Sequence, residues 1–306
     1  MRIANNQYNA MMQTAFNTAN SQMDAINLQL ATGDQYTVPS QDPIATVQLA
    51  RLSLEDTQIT QYQSNISSLK SRLSSSEGYL RSISNDILSA NDLVLQAANG
   101  SNTALDEAAI GTAVAPLIQS IMYTANTQDA EGHYIFSGTQ TSTQPITYDA
   151  TAAVGSRYQY AGDTNQQLVT VASGVTQPAN VSLPDIATLL NQLDTAQADM
   201  SGTGPNPSNP NNTATNNDYE TAVSGLAPAL GSITGKIADL GGQQNILDTI
   251  NTNFQDVSAS NATAAIALGQ VNYAASYTQL NNYTIAVQAA QKAYGEVSKL
   301  SLFNAI

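Results

Sequence analysis

The sequence has no cysteine, no tryptophan and a single histidine, and only 10% of its 306 residues are charged. An average soluble protein carries about 25% charged residues. Each shortage removes chemistry. Without cysteine there is no thiol nucleophile, zinc–thiolate site, iron–sulfur cluster or disulfide. One imidazole per chain leaves little for histidine base catalysis or a histidine-rich metal centre. Cations are scarce as well: 9 Lys and Arg against 23 Asp and Glu give a net charge of −14 and a pI near 4.1. No basic stripe can form for a phosphate backbone, which argues against nucleic-acid binding and against docking on an anionic membrane surface. No run of about 18 apolar residues stands out, so no membrane span is expected. The opening MRIANNQYNAMMQTAF lacks the unbroken apolar stretch and small-residue cleavage site of a secretory signal. There is no P-loop, dinucleotide fingerprint or G-x-S-x-G elbow.

What fills the gap is uncharged polarity. Asn, Gln, Ser and Thr make up about two-fifths of the chain, beside 42% hydrophobic residues, enough for a core. The hydrophobic residues fall into heptads. Met12, Phe16, Ala19, Met23, Ile26 and Leu30 step by four and three up to Gly33, a helix C-cap candidate. Tyr36 to Pro43, with two prolines, reads as an extended loop, and Asp42 before Pro43 as an N-cap with proline at the first helical position. The longest run follows: Leu52, Ile59, Tyr62, Ile66, Leu69, Leu73, Leu80, Ile83, Ile87 and Val94, with Ser76, Ala90 and Ala97 in the same phase. Repetition every 3.5 residues keeps one seam facing a partner helix, the pattern of a coiled coil. Asn99-Gly100 should end it. A second helix through Ile110, Val114, Leu117, Ile121 and Ala125 should kink or restart at Pro116.

The middle changes period. Tyr134–Phe136, Ile146–Tyr148, Tyr158–Tyr160 and Leu168–Val171 are short β-prone runs punctuated by glycine. A helix follows Pro184, and 201–217 is a low-complexity loop. Helical heptads then return as Tyr219, Val223, Leu226, Leu230, Ile233, Ile237 and Leu240. They are expected to break at Gly241-Gly242 and restart out of phase at Leu247, Ile250, Phe254, Val257, Ala264, Leu268 and Val271. A last face uses Tyr273, Leu280, Val287, Tyr294 and Val297.

The fold class read from this is mainly α with a β-rich insert: a long antiparallel helical-bundle rod built by the N- and C-terminal halves, with a small α+β outer domain. The division is 1–42 with 272–306 as terminal helical arms, 43–137 with 218–271 as the rod, and 138–217 as the insert. Polar and small seam residues weaken such a bundle but specify register. The arms are marginal as isolated helices and would finish folding when subunits pack.

Sites for chemistry are few. Asp129, Glu131 and His133 would share one face of a strand and could bind a metal, but a turn leaving a helix explains the same residues. Gly162-Asp163 reads as a hairpin turn. Tyr148, Tyr158 and Tyr160 read as packing residues, with sugar stacking as the rival. Asp163 and Asp185 are the only guesses for a carboxylate pair in the insert. Neither a catalytic site, a metal site nor a cofactor is assigned.

Several ordered motifs resemble the flagellin family. Leu28-Gln29-Leu30-Ala31-Thr32-Gly33 is similar to its Q-L-x-S/T-G stretch, and Pro39-Ser40-Gln41-Asp42-Pro43-Ile44-Ala45 to the P-S-x-D-P-x-A motif of its junction proteins, where filament subunits carry a different segment. Gln96–Gly100 resembles Q-A-x-N-G/S, Asn126–Gly138 resembles A-N-x-x-D-x-x-G-x-Y-I-F-x-G, Tyr160–Asp163 resembles Y-x-G-D, and Leu300–Phe303 matches the L-S-L-F terminus. Residues 175–217 match no family element.

The resemblance implies a non-enzymatic structural subunit of the bacterial flagellum, exported without a cleavable signal and located extracellularly at the hook–filament junction. Its partners would be hook-associated protein 1, flagellin, further copies of itself and an export chaperone, with no nucleic acid, membrane or small-molecule substrate. The paired terminal arms would form the axial inner domain, disordered before assembly. Met12, Phe16, Leu30, Val271, Leu280, Val287, Leu302 and Phe303 are then the candidates for axial packing, and Pro39, Asp42 and Pro43 for contact with neighbours. The rivals are a filament flagellin, or a secreted glycan-binding or hydrolytic protein acting through 138–217.

Overall fold

The structure, a computed structural model, describes residues 2–207 and 213–303, with side chains described for 7–207 and 214–296. Six helices and two small hairpins follow one another as α1 (Arg2–Thr32), α2 (Pro43–Ala97), α3 (Ala104–Ala125), β1 (Ile146–Tyr148), β2 (Tyr158–Tyr160), β3 (Leu168–Ala172), β4 (Val175–Pro178), α4 (Asp185–Met200), α5 (Thr213–Gly269) and α6 (Tyr273–Phe303). They form two compact units. The terminal unit is Met1–Ile59 with Gln255–Ile306, and the central unit is Thr60–Phe254. Helices α2 and α5 contribute residues to both.

In the central unit the expected α2 seam is buried almost residue for residue. Ile66, Leu69, Leu73, Ser76, Leu80, Ile83, Ile87, Ala90, Val94 and Ala97 alternate by three and four and are all nearly inaccessible. The cross-helix contacts fix an antiparallel partner. Tyr62 stacks on Phe254 with centroids 5.6 Å apart, Lys70 pairs with Asp248, and Gln244 Nε2 donates to Glu77 Oε2 at 2.9 Å. Residue numbers rise on α2 as they fall on α5. Helix α3 joins through Ser120 Oγ, which donates to Asp86 at 2.7 Å.

The expected break in α5 does not occur. The helix runs unbroken through Gly241 and Gly242, and the phase does not shift: Leu226, Ile233, Leu240 and Leu247 are buried seven residues apart. Each glycine costs about 1 kcal/mol relative to alanine. Burial of the leucines on either side outweighs that penalty, and propensity yields to tertiary packing. Nor does α3 restart at Pro116. Pro116 and Thr112, whose carbonyl loses its donor, both lie on the exposed side, where water can replace the missing bond. Pro228 sits the same way within α5. Helix α5 also begins at Thr213, inside the stretch read as loop up to 217.

One further expectation is revised. By length and composition alone, α3 is apolar enough to cross a membrane. Its Ile110, Val114, Ile118, Ile121 and Ala125 pack into the central core.

The β-prone middle forms two separate antiparallel hairpins, β1–β2 in the register Ile146 to Tyr160, and β3–β4 with a bulge between Thr170 and Ala172. Strand β4 was not foreseen. Tyr134–Phe136 is not a strand but a turn: Ile135 and Phe136 are buried, and Tyr134 and Ser137 make only isolated bridges to Gln128 and Ser182. The loop before α2 is likewise compact rather than extended, because Gln41 N donates to Val38 O at 3.1 Å and Thr37 N to Gln41 Oε1 at 2.8 Å.

Where α4 meets α5 the core holds charge. Asp199 is fully inaccessible; its Oδ1 accepts from Asn206 N at 2.9 Å, while Oδ2 has no donor. Its neighbour is the Asp218 carboxylate, itself bonded by Asn206 Nδ2 at 2.7 Å. Burial, aided by Asp218, pushes the Asp199 carboxyl up to about 7. A proton on Asp199 turns the contact with Asp218 into a hydrogen bond.

Two outcomes follow from this core. Leu80→Ala should lower the unfolding free energy of the central unit by about 2–5 kcal/mol in a denaturant titration. Because the folded pKa of Asp199 lies above its unfolded value, its contribution is complete below the unfolded pKa and is lost as pH rises through about 7. Thermal melts should therefore show a higher Tm at pH 5 than at pH 8, and Asp199→Asn should raise the pH 8 value and flatten the difference.

Candidate assembly surfaces and the motif turns

The terminal unit is organised by a short clamp. Helix α1 ends at Gly33, which has φ +81°, a backbone conformation that suits glycine, and donates to Gln29 O at 2.8 Å. The chain then meets the end of α5: Gln35 N donates to Gly269 O at 2.7 Å and Val271 N to Gly33 O at 2.9 Å, around the bridge of Asp34 and Gln270. Gln29 Nε2 reaches Gln35 O at 2.7 Å. This clamp starts α6 alongside α1, so the two terminal helices run antiparallel. A groove of ≈ 790 Å³ along them is lined by Ala10, Met11, Thr14, Ala15, Tyr283 and Ala286.

The residues chosen from sequence for axial packing sit in this pairing. Met12, Phe16, Leu30, Leu280 and Val287 are half-buried, and Val271 is buried. Leu302 and Phe303 lie within α6, but their side chains fall outside those described. Pro39, in the loop before α2, and Pro43, the first residue of α2, are exposed. Asp42 Oδ1 accepts from Ile44 N and Ala45 N, both at 3.0 Å, as the expected N-cap.

In the terminal unit the described apolar side chains most open to a neighbour are a different set: Met11, Leu28, Ile44, Val47, Leu54, Ile266, Tyr277 and Ile285. Sequence reasoning missed them because it followed the seam. The signal was available, since they flank seam positions where a solvent face normally carries charge.

The central motifs hold turns. In Asn126–Gly138, Asn126 exchanges two bonds with Ile146 across β1, donating from Nδ2 at 2.9 Å and accepting from its N–H at 2.8 Å. Asp129 Oδ1 accepts from Glu131 N and His133 N at 3.1 and 2.8 Å. The strand that would place Asp129, Glu131 and His133 on one face is not formed, and no group of three potential ligands gathers for a metal among the described residues.

The end of this motif meets the Tyr160–Asp163 motif directly. Asp163 accepts from Thr139 N at 2.8 Å and Asn165 N at 3.0 Å, and donates from its own N–H to Ser137 O at 3.0 Å. Those hydrogen bonds, led by the Thr139 hydroxyl, hold its carboxyl below the usual range. Tyr160 Oη lies 3.0 Å from Phe136 O and 2.8 Å from Asp163 O. Burial and then Asp163 push this phenol up to about 12, so it stays protonated as a donor. Gly138 has φ +75°, and a Cβ there would lie 2.1 Å from Asp163 Oδ1, so only glycine fits.

This arrangement disposes of the sugar-stacking face. Tyr158 is buried and tilted against Tyr148 with centroids 5.0 Å apart, Tyr160 is spent on the turn, and only Tyr148 presents a ring to solvent. Asp185 accepts from Ser232 Oγ at 2.9 Å, while Asp163 caps its loop, so the two acids have separate structural partners. Asn191, unremarked in the sequence, exchanges two bonds with Tyr158 as Asn126 does with Ile146.

Comparison with known proteins agrees with this architecture. Residues 3–141 match the bacterial flagellin N-terminal helical region. The chain is 27% identical over 300 residues to flagellar hook-associated protein 3 of Escherichia coli, covering 90% of each, and 26% identical over 304 residues to that of Salmonella typhimurium, covering 93% of each. A solved structure from Vibrio parahaemolyticus, described as a flagellar hook-associated protein, is 31% identical with a TM-score of 0.66, over 74% of this chain and 99% of that one. The junction protein FlgL of Legionella pneumophila shares the fold at 17% identity and a TM-score of 0.58, over 72% of this chain and all of that one. The helical seams, the motif-bearing turns and these matches together show that the chain belongs to the flagellin family, among its hook-associated proteins.

Proposed function

We propose that this chain is the structural subunit that joins hook to filament in a bacterial flagellum. It assembles as an adaptor ring with hook-associated protein 1 on the hook side and flagellin on the other. The observation that carries the reading is the extent of the match to flagellar hook-associated protein 3, nine-tenths of both chains. A filament subunit is not favoured by the Pro39–Ala45 segment, and among the described residues no feature of 138–217 favours a glycan-binding or hydrolytic role.

The mechanism is polymerisation by shape and apolar contact. In this reading the arms, 1–42 and 272–306, are the axial inner domain, 43–137 with 218–271 the rod, and 138–217 the outward domain. Support for the arms' role comes from what they leave uncovered. Among the described side chains of the terminal unit, only Ile26, Ala45, Ile59 and Val271 are buried apolar ones, while Met11, Leu28, Tyr277 and Ile285 stay open. Helices with so little of their own surface covered are marginal alone, and neighbouring subunits supply the missing burial. The export chaperone would shield the same surface before assembly.

Deleting the gene should leave hooks without filaments and release unpolymerised flagellin into the medium; normal filaments in the deletion strain would refute the junction role. Limited proteolysis of the purified chain should trim both arms first and spare a fragment close to 60–254. Equal resistance along the whole chain would count against arms that order on assembly.

A further inference from the structure

Where the α2 seam ends, the chain turns toward α3 through Ala98–Asn102. Hydrogen bonds hold both sides of the turn. Asn99 N donates to Gln96 O at 3.2 Å, Asn102 N to Asn99 O at 3.0 Å, and Asn102 Nδ2 to Gln96 O and Ala97 O at 2.6 and 3.1 Å. Ser101 donates to Asn99 Oδ1 from both N and Oγ, at 3.3 and 3.0 Å. This Asx turn folds the Asn99 carboxamide over the peptide that follows it. The nitrogen of that peptide, Gly100 N, makes no hydrogen bond among the described residues. Asn99 and Gly100 are both exposed.

Nothing in the backbone calls for glycine at position 100. Its φ is not positive, and a Cβ there would meet nothing within 4 Å. What glycine does is leave its nitrogen uncovered beside an amide carbon. The pair is the single Asn-Gly of the sequence. At other asparagines outside helices the following nitrogen is occupied or lacks a proton. Thr103 N, after Asn102, donates to Asp106 Oδ2 at 2.9 Å, and Thr127 N, after Asn126, to Thr124 O at 3.2 Å. Asn206 is followed by Pro207, which has no N–H.

We propose that Asn99 is a site of spontaneous deamidation, a non-enzymatic covalent change in the α2–α3 turn. Gly100 N attacks Asn99 Cγ. A new C–N bond closes a succinimide ring, the Cγ–Nδ2 bond breaks, and Nδ2 leaves as ammonia with the proton given up by Gly100 N. The two Ser101 donors polarise the Cγ carbonyl toward this attack. Water then opens the ring at either imide carbonyl. Opening at Cγ leaves aspartate on a normal backbone; opening at the main-chain carbonyl leaves isoaspartate, with a backbone one carbon longer. Either product adds one negative charge to a chain already at −14. That charge lies just past the carbonyl end of α2, where the helix dipole disfavours it. The longer backbone also spreads apart the N and O of residue 99, the atoms that tie the turn to Gln96 and Asn102. The isoaspartyl form therefore loosens the end of the seam at Val94 and Ala97. No partner takes part, so the site stands with or without the junction reading.

The test ages the purified full chain, native and at pH 8, and follows it by peptide mapping and mass spectrometry. The peptide holding residues 99 and 100 should gain about 1 Da and split into aspartyl and isoaspartyl products, ahead of every other asparagine peptide. In water enriched in heavy oxygen the same peptide should take up the label, because ring opening draws one oxygen from solvent. Gly100→Ala, which the open space admits, should slow the change at least about tenfold without lowering Tm. No shift in the native chain, over the time in which the chain in urea converts, means that the fold protects the site and overturns the proposal. An unchanged rate in Gly100→Ala overturns it as well. The isoaspartyl fraction, separated from fresh protein, should melt at a lower temperature than Asn99→Asp, which adds the charge and keeps the backbone length. An isoaspartyl fraction that melts with fresh protein overturns the loosening of the turn.

Discussion

The structure depends on one constraint, that the α2 seam must be dry along its length. From Ile66 to Ala97 it presents a buried residue every three or four positions, and those residues are useless unless another apolar stripe covers them. The cover comes from far along the chain, in α5, with α3 and α4 filling in. That long-range demand explains why α5 stays helical across two adjacent glycines and one proline. Breaking it would expose Leu240 and Leu247 on one side or the other. The polar member of the seam, Ser76, returns its hydroxyl to Arg72 O at 3.0 Å within its own helix. It therefore needs no partner from α5, and its small size lets the helices approach.

The shortage of charge finds its counterpart in the hairpins. Two-stranded sheets leave backbone groups open on both edges. In this chain, amide side chains close them: Asn126 on Ile146, Asn191 on Tyr158, and Asn180, which accepts from Gln167 N at 2.7 Å and donates to Asn165 O at 3.0 Å. An amide offers a donor and an acceptor side by side, matching the N–H and C=O of an extended residue. A carboxylate can only accept, and an ammonium can only donate. The amide-rich composition is thus a means of fixing small sheets without burying ions. Buried acids have partners of their own, Arg157 for Asp194 and the Tyr219 hydroxyl for Glu107, and Asp199, beside Asp218, takes a proton instead.

How much of this was legible in the sequence divides by range. The α2 stripe, the Gly33 end and the Asp42 cap are local patterns, and each was readable because the residues responsible lie within one or two turns of each other. The phase of α5 was misread because glycine pairs look like breaks until the energy of the distant seam is counted. Tyr134–Phe136 has strand composition, but its fate was set by Asp163 and Tyr160, more than 20 residues away, which turn the chain at Gly138. The assembly candidates show the same limit. Heptad reading picks residues that face a partner, and for Met12, Phe16 and Leu280 that partner is the chain's own other end. Residues that face outward, such as Met11 and Tyr277, are visible only once the inward face is known.

The contrast between the two units then becomes a physical argument about when each is ordered. The central unit closes its own seam, satisfies its strand edges with its own amides and ties two distant motifs together at Asp163. The terminal unit has a backbone clamp at Gly33 and Val271, but among the described residues its two long helices meet with few buried apolar side chains between them. Ordering a residue's backbone costs about 1–2 kcal/mol. In the proposed assembly, neighbouring subunits would supply the burial that this pair of helices lacks. In the proposed reading the central body is complete in the free chain, and the ends are completed by neighbouring subunits in the assembly.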